Sequence, residues 1–364
     1  MIQMNDFGSE PAQLREEMVA ASRSVFESGW YVLGKQVESF EQEWAGVCGA
    51  DHCVGVANGL DALEIGMRAL GIGPGDEVIT TPMTAFATVL AVLRAGATPV
   101  LADIDPANAI LDPESVIRCL SPRTKAIAVV HLYGQVGPVD TLLDVARDRG
   151  IHLIEDCAQS HLAAFDGKPA GTFGAFAAWS FYPTKNLGAM GDAGALTTSS
   201  AELAETAAMV RNYGQSVRYY HPMLGMNSRL DELQAALLRV RLPYLEGWTA
   251  RRREIAAAYH ERIESPRVRL LARPAKPERH VHHLFVVTTD EREALQAHLR
   301  DRGVSSLIHY PVPVHQQDPC RHLPRDPKGL PNAERHAATC LSLPCHPGLS
   351  DEAVHQVIAA VNSF

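Results

Sequence analysis

One lysine in this chain stands in a setting unlike those of the other five. The stretch Trp179-Ser180-Phe181-Tyr182-Pro183-Thr184-Lys185-Asn186 closes an apolar, small-residue run, Gly171 to Phe181, that reads as a buried strand and turn. Burial disfavours an ammonium ion and lowers its pKa, so an amine held there can attack an aldehyde at neutral pH and form a Schiff base. Lys35 opens an amphipathic helix, Lys125 precedes a strand, Lys168 lies in an Asp-Gly-Lys-Pro turn, and Lys276 and Lys328 occupy Pro-rich segments. On local context alone, Lys185 is either this nucleophile or a solvated lysine at a strand end.

Two further features carry chemistry. Ile151-His152-Leu153-Ile154-Glu155-Asp156 is an apolar strand that ends in a carboxylate. An acid in that place is costly unless it meets a cation or hydrogen-bond donors, the bland alternative being a cap on a following helix. Cys53 to Ala57 reads as a strand running into Asn58-Gly59-Leu60-Asp61-Ala62-Leu63, with Asn58 as N-cap and Gly71 as the stop of the helix that follows. Such a junction presents free backbone N–H groups and the positive end of a helix dipole, so it is either a phosphate site or simply a well-capped helix. Gly71-Ile72-Gly73-Pro74-Gly75 follows a helix and contains Pro, which argues against a dinucleotide loop.

The elements that must position these residues follow from periodicity. Residues 9–28, capped by Ser9, and 35–48 read as helices, the second with Val37, Phe40, Trp44 and Val47 on one core-facing side. From residue 77 to residue 156, short apolar strands alternate with helices near 86–95, 113–120 and 140–149. That alternation predicts a mainly parallel sheet sandwiched by helices, with ligands beyond the carboxyl ends of the strands. Asp103, Asp105, His131, Tyr133, Asp156 and Gln159 are the rim candidates. A strand at 194–198 precedes a long helical region, 230–263, broken by Pro243, on which Arg251-Arg252-Arg253 reads as a solvated face. A smaller C-terminal α+β domain follows: a strand at 284–288, a helix at 291–303, a loop rich in His and Pro at 308–331 and a last helix near 351–361. The expected division is a large domain, 1–245, and a small one, 246–364.

The remaining bounds are mostly exclusions. A net charge of −9 argues against a nucleic-acid surface. No apolar run approaches the roughly 18 residues of a membrane span, and seven scattered cysteines without Cys-x-x-Cys suit a reduced, cytoplasmic protein. His309, His315, Cys320 and His322 lack compact ligand spacing, so no metal is expected.

Lys185, Asp156 and the Asn58 junction, taken with several strings along the chain, resemble the DegT/DnrJ/EryC1/StrS family of nucleotide-sugar aminotransferases, which are pyridoxal-phosphate enzymes of fold type I. The strings include Gly75-Asp76-Glu77-Val78-Ile79-Thr80, Val130-His131-Leu132-Tyr133-Gly134-Gln135, Glu155-Asp156-Cys157-Ala158-Gln159, Ser180 to Asn186, Gly191-Asp192-Ala193-Gly194, Asn227 to Ala236 and His309-Tyr310-Pro311-Val312-Pro313-Val314-His315. The similarity runs almost end to end. It implies pyridoxal 5'-phosphate bound as a Schiff base to Lys185, with Asp156 on the pyridine nitrogen, Gln159 by the phenolic oxygen and Phe86 as the ring aromatic. The phosphate would take the amides of Gly59 and Leu60 and the hydroxyl of Ser180. Asn227 matches the position that reaches the neighbouring subunit's cofactor, which implies a homodimer with composite sites. Tyr133, Tyr182, Arg229, His309, Tyr310 and His315 would contact substrate.

The reaction so implied passes an amino group from an amino acid, L-glutamate as in the family, to a keto carbon of a nucleotide-linked (dTDP) deoxyhexose. Leu60 replaces the family's usual threonine and favours 3-keto over 4-keto sugars. The alternatives within the fold are a sugar dehydratase, which carries histidine in place of the lysine, and a non-catalytic regulatory relative. Two other departures stand out: Ala85 occupies the usual aromatic position, with Phe86 one residue on, and Leu162 occupies the place of a glycine.

Overall fold

The computed structural model describes all 364 residues, Met1–Phe364. Two N-terminal helices, α1 (Ala12–Ser28) and α2 (Lys35–Cys48), each end on a glycine in the left-handed region, Gly29 at φ 63° and Gly49 at φ 67°. Ser9 does not cap α1 as expected. It belongs to a single 3-10 turn, Phe7–Ser9, where its hydroxyl donates to the carbonyl of Asp6 at 2.8 Å, and Pro11 takes the cap position.

Strand β1 (His52–Val56) then leads into α3 (Gly59–Ala69), and the alternation follows: β2 (Glu77–Thr80), α4 (Phe86–Arg94), β3 (Thr98–Leu101), α5 (Pro113–Cys119), β4 (Thr124–Val130), α6 (Val139–Arg149) and β5 (His152–Asp156). A short hairpin, β6 (Ala164–Phe165) and β7 (Lys168–Pro169), precedes β8 (Phe176–Ser180) and β9 (Gly194–Thr198). Seven strands form one sheet in the order β1-β9-β8-β5-β4-β2-β3. From β8 to β3 every pairing is parallel, while β9 runs antiparallel to both its neighbours.

Alternation along the strands divides the side chains between two faces. Ile127, Leu153, Ala177 and Trp179 pack with Phe40 and Trp44 of α2 and Leu142 of α6. Ala126, Ala128, Ile154, Phe176 and Ala178 pack with Leu63 and Met67 of α3 and Val92 of α4. Burial on both faces is why these strands read as nearly continuous apolar text rather than as an alternating pattern.

The chain continues through α7 (Ala201–Val210), α8 (Glu232–Arg241) and α9 (Leu245–Arg262), Pro243 lying in the 3-10 turn between the last two. Helix α7 carries no clear apolar stripe in the sequence, since four of its ten residues are alanine. Beyond α9, β10 (Arg269–Leu270), β11 (Phe285–Thr288) and, past α10 (Arg292–Asp301) and α11 (Pro331–Thr339), β12 (Cys340–Leu343) form a three-stranded antiparallel sheet. Helix α12 (Asp351–Asn362) closes the chain. Helix α11 and strand β12 extend the structure through a stretch that sequence periodicity left blank.

Arg252 corrects another expectation. It is buried, 4% exposed, and its Nη1 donates to the carbonyls of His282, His283 and Cys345. Only Arg251 and Arg253 keep partly exposed positions on that helix. The N-terminus also crosses to the segment that follows α10: Ile2 donates to the carbonyl of Gly303 at 2.7 Å, and Ser305 donates to that of Ile2 at 2.9 Å. No helix is long and apolar enough to cross a membrane.

Helix α3 lies so close to β8 that a Cβ at Gly66 would fall 2.3 Å from the ring of Phe176, itself fully buried. A ring enclosed by core cannot move aside, and overpacking of this kind costs about 1–3 kcal/mol. Gly66→Ala is expected to lower unfolding stability by that amount in urea titration, with no change in denaturant slope.

Candidate active site

The apolar strand β5 places Asp156 at its carboxyl end, 6% exposed. Its Oδ1 accepts from the amide of Ala158 at 3.1 Å and its Oδ2 from the hydroxyl of Thr88 at 2.7 Å. Thr88 is joined in turn to Thr84 at 2.8 Å. Every ion pair in the molecule lies elsewhere, so this buried carboxylate has two neutral donors and no cation within salt-bridge distance. Thr88 was not among the expected site residues. The i, i+4 spacing of Thr84 and Thr88 at the start of α4 was its only trace in the sequence.

Lys185 follows β8 through a turn in which its amide donates to the carbonyl of Tyr182 at 2.8 Å. The side chain is half-buried. Loss of solvent pulls its amine down to about 8, against a smaller upward pull from the charge of Asp156. The two expected catalytic groups therefore share one electrostatic environment.

The expected phosphate cradle depends on close approach. A Cβ at Gly59 would lie 2.8 Å from the Cβ of Ser180, and one at Gly194 would lie 2.4 Å from the carbonyl carbon of Asn58. Asn58 caps α3 as expected, its Oδ1 accepting from the amide of Asp61 at 2.9 Å and its carbonyl from that of Ala62 at 3.1 Å. The amides of Gly59 and Leu60 precede the first intrahelical bond and are free for an anion. Phe86 opens α4, two residues before Thr88, and is 37% exposed.

Gln159 accepts from the amide of Tyr133 at 2.6 Å and donates weakly to the phenol of Tyr310 at 3.4 Å. Burial, and then the nearby charge of Asp156, push the Tyr310 phenol up to about 12. Tyr310 thus converges on the same acid.

Two expected substrate contacts are tied within the protein, Tyr133 through its hydroxyl and His315 through one ring nitrogen, its buried Nδ1 having no partner. Tyr133, 2% exposed and held at φ 60°, donates its hydroxyl to the carbonyl of His309 and accepts from Nε2 of His336 at 2.9 Å. His315, 3% exposed, pairs through Nε2 with Glu334 of α11 at 2.9 Å. Both residues anchor the loop that carries His309 and Tyr310, whose third tie is His309 Nδ1 to the hydroxyl of Ser342 at 2.8 Å. That anchoring was invisible because α11 and β12 were unread.

The side chains of the remaining expected residues make no hydrogen bond to this group. Arg229 donates to Oδ1 of Asn212 at 3.2 Å and lies over the ring of Tyr213, Asn227 bridges Asn212 and is exposed, and Tyr182 is 52% exposed.

Three rim candidates have structural partners instead. Asp103 caps α11, accepting from the amides of Asn332 at 3.0 Å and Ala333 at 2.8 Å. Asp105 accepts from the amide of Ala107 at 2.9 Å. His131 is fully buried behind the sheet, its Nδ1 accepting from the amide of Gly137 and its Nε2 donating to Glu155 at 3.0 Å. Glu155 also takes the amides of Gly171, Phe173 and Gly174. Burial pushes that carboxyl up, but these donors outweigh it and hold it below its ordinary value. With Cys157 alongside, the trio has the types of a metal site, yet its histidine and acid lone pairs are already taken. Leu162, in the place of a glycine, is held at φ 67°, the region where glycine is strain-free.

A desolvated amine and an uncompensated acid, at the carboxyl edge of a mainly parallel sheet, define an enzyme that exchanges amines with carbonyl groups. The family model for DegT/DnrJ/EryC1/StrS aminotransferases matches residues 12–362, and the chain belongs to that family. It is 45% identical to the dTDP-3-amino-3,4,6-trideoxy-alpha-D-glucose transaminase of Streptomyces venezuelae, over 97% of this chain and 93% of that protein. It is also 45% identical to the dTDP-3-amino-3,6-dideoxy-alpha-D-galactopyranose transaminase of Aneurinibacillus thermoaerophilus, over 100% and 99% of the two chains. The crystal structure of S. venezuelae DesV, in complex with a ketimine intermediate, superposes with a TM-score of 0.95 at 43% identity, covering 100% of this chain and 98% of that one.

Because desolvation holds the amine near 8, below its usual 10.5, the reactive free base is the minor form at pH 7 and the major form above about 8. Acylation of Lys185 in the cofactor-free protein, read by peptide mass spectrometry, is expected to rise with a midpoint near that pH, well below the midpoint for surface lysines.

Proposed function

We propose that the protein is a pyridoxal 5'-phosphate-dependent aminotransferase that moves the amino group of an amino acid, L-glutamate in the first instance, to the keto carbon at C3 of a dTDP-linked deoxyhexose. The observation that carries this reading is Asp156: a buried carboxylate with neutral donors on both oxygens and no cation fits the protonated ring nitrogen of that cofactor. The close approach of Gly59 to Ser180 fits its phosphate. The names of the two similar transaminases support amination at C3 of a dTDP sugar.

In this reading the amides of Gly59 and Leu60 and the hydroxyl of Ser180 hold the phosphate. Asp156 keeps the ring nitrogen protonated, since an opposite charge in hydrogen-bond reach favours the charged form. The second N–H of the Gln159 amide serves the phenolic oxygen, and Phe86 covers the ring. When bound, the cofactor supplies the aldehyde that exchanges amines and the electron-withdrawing ring that makes the substrate carbon acidic.

Lys185 does the proton work. Its amine, freed as the donor binds, takes the proton from the donor's α carbon and later delivers one to the sugar carbon. A pKa near 8 suits both directions close to neutral pH, and such catalysis contributes roughly 10²- to 10⁴-fold. Tyr182, Arg229, His309 and Tyr310 contact the sugar nucleotide or donor, while Tyr133 and His315 act by fixing the loop that bears two of them.

Asn227 is exposed and its side chain bonds nothing in its own subunit. It fits a homodimer in which each chain completes the other's phosphate site. The large unit, 1–245, carries the cofactor and the small one, 246–364, the substrate-facing loop.

Three measurements test the reading. Borohydride should fix a pyridoxyl group on Lys185 in the cofactor-loaded protein, and label on another residue would refute the assignment. Lys185→Arg should abolish turnover of glutamate with dTDP-3-keto-6-deoxyhexose while keeping the fold by circular dichroism. Thr88→Val, which deprives Asp156 of a charge-assisted bond of about 1.5–3 kcal/mol, should weaken cofactor affinity by roughly 10- to 100-fold in a fluorescence titration.

A further inference from the structure

The turn that carries Lys185 is tied down by a single side chain. Between Tyr182 and Gly188 only Asn186 makes side-chain hydrogen bonds, and both run to the same place: Nδ2 donates to the carbonyl of Val281 at 3.3 Å, and Oδ1 meets Nδ1 of His283 at 3.2 Å. Because Nδ2 is the donor to Val281, Oδ1 is the acceptor for His283, which fixes that imidazole as the tautomer with hydrogen on Nδ1. Asn186 is 4% exposed and His283 8%, so water competes little with either bond.

The segment that receives Asn186 is itself braced on three sides. Val281 donates to the carbonyl of Gly134 at 3.0 Å, Leu284 donates to that of Tyr133 at 3.2 Å, and Val136 donates to that of Arg279 at 2.8 Å. These bonds hold residues 279–284 against the loop that follows β4 and supports Gln159. From the other side, buried Arg252 of α9 donates to the carbonyls of His282 and His283, each at 3.4 Å. A guanidinium taken out of water with no carboxylate partner is expensive. Its presence makes sense if it has three carbonyls to gather, two of them on this segment. One residue further on, the segment becomes β11 of the C-terminal sheet.

We propose that Asn186 and His283 are a positioning pair for Lys185: the Nδ1–H of His283 holds the amide of the residue next to the lysine, and so sets the direction from which the lysine amine meets cofactor and substrate. This rests on the role given to Lys185 above. The imidazole stays neutral in that work, because burial, and after it the charge of Lys185, hold its pKa well below the usual value. The pair also joins α9 to the lysine by a path of four bonded groups: Arg252, the His283 backbone, its ring and the Asn186 amide.

The test uses the cofactor-loaded protein and the variants His283→Ala, Asn186→Ala and His283→Asn. Asparagine at 283 keeps an N–H where Nδ1–H stands, whereas alanine removes it. Misplacing a reacting group by an ångström costs on the order of 10²-fold in rate. His283→Ala and Asn186→Ala should therefore lower kcat by about that factor with little change in KM for glutamate. They should also weaken the induced visible circular dichroism of the bound cofactor at equal loading. His283→Asn should restore most of both. Equal kcat and dichroism in wild type and the alanine variants would overturn the pair, and so would a His283→Asn protein no better than His283→Ala. If His283→Ala does not fold, Asn186→Ala and His283→Asn decide the question between them. Failure of borohydride to label Lys185 in the wild type would instead sink the function proposed above, so the two failures are distinguishable.

Discussion

The acid at the end of β5 is the constraint around which the rest is arranged. An ionised carboxylate in apolar surroundings demands compensation, and here the protein supplies only an amide and a hydroxyl, from Ala158 and Thr88. Three other buried acids are more heavily compensated. Glu155, one residue earlier and facing the opposite side of the sheet, collects a histidine and three amides. Glu64 meets both Arg68 and Arg94. Glu232 gathers the amides of Gly34, Gln36 and Val37 and so fixes the start of α2. Against that background, the incomplete shell of Asp156 reads as a place kept for a cationic ring.

The amine obeys the same logic with the sign reversed. Solvent loss lowers Lys185, and the field of Asp156 partly restores it. The balance leaves a base that can both lose and regain a proton near neutral pH. His309 feels the lysine's charge as well as its own burial, and is held down at about 4. The histidines facing the lysine, His283 and His309, are therefore neutral hydrogen-bonding surfaces at working pH, and the lysine is left to carry the proton.

Much of this was legible in the residues. The apolar strand before Asp156, the glycine after the Asn58 cap and the lysine behind a run of small and aromatic residues each point to one piece of the site through burial or backbone freedom. The helical pattern of Val37, Phe40 and Trp44 and the break at Pro243 were equally plain, because periodicity and a missing N–H are local properties. What stayed hidden depends on partners distant in sequence. The roles of Tyr133 and His315 come from α11, whose short apolar pattern is masked by His336, Glu334 and Arg335. The burial of Arg252 comes from carbonyls 30 to 93 residues away. Asp103 reads as a rim acid until the start of α11 is placed against it.

The crossing of the N-terminal residues onto the segment after α10 carries a consequence for how the chain is made. Ile2 finds its partners at Gly303 and Ser305, which leave the ribosome only after some 300 residues of intervening chain. The large sheet can collapse on its own cores during synthesis, since domains generally fold as units with the N-terminal one first. Its leading segment must stay open through that time. The seam between the two segments therefore closes only after that long interval.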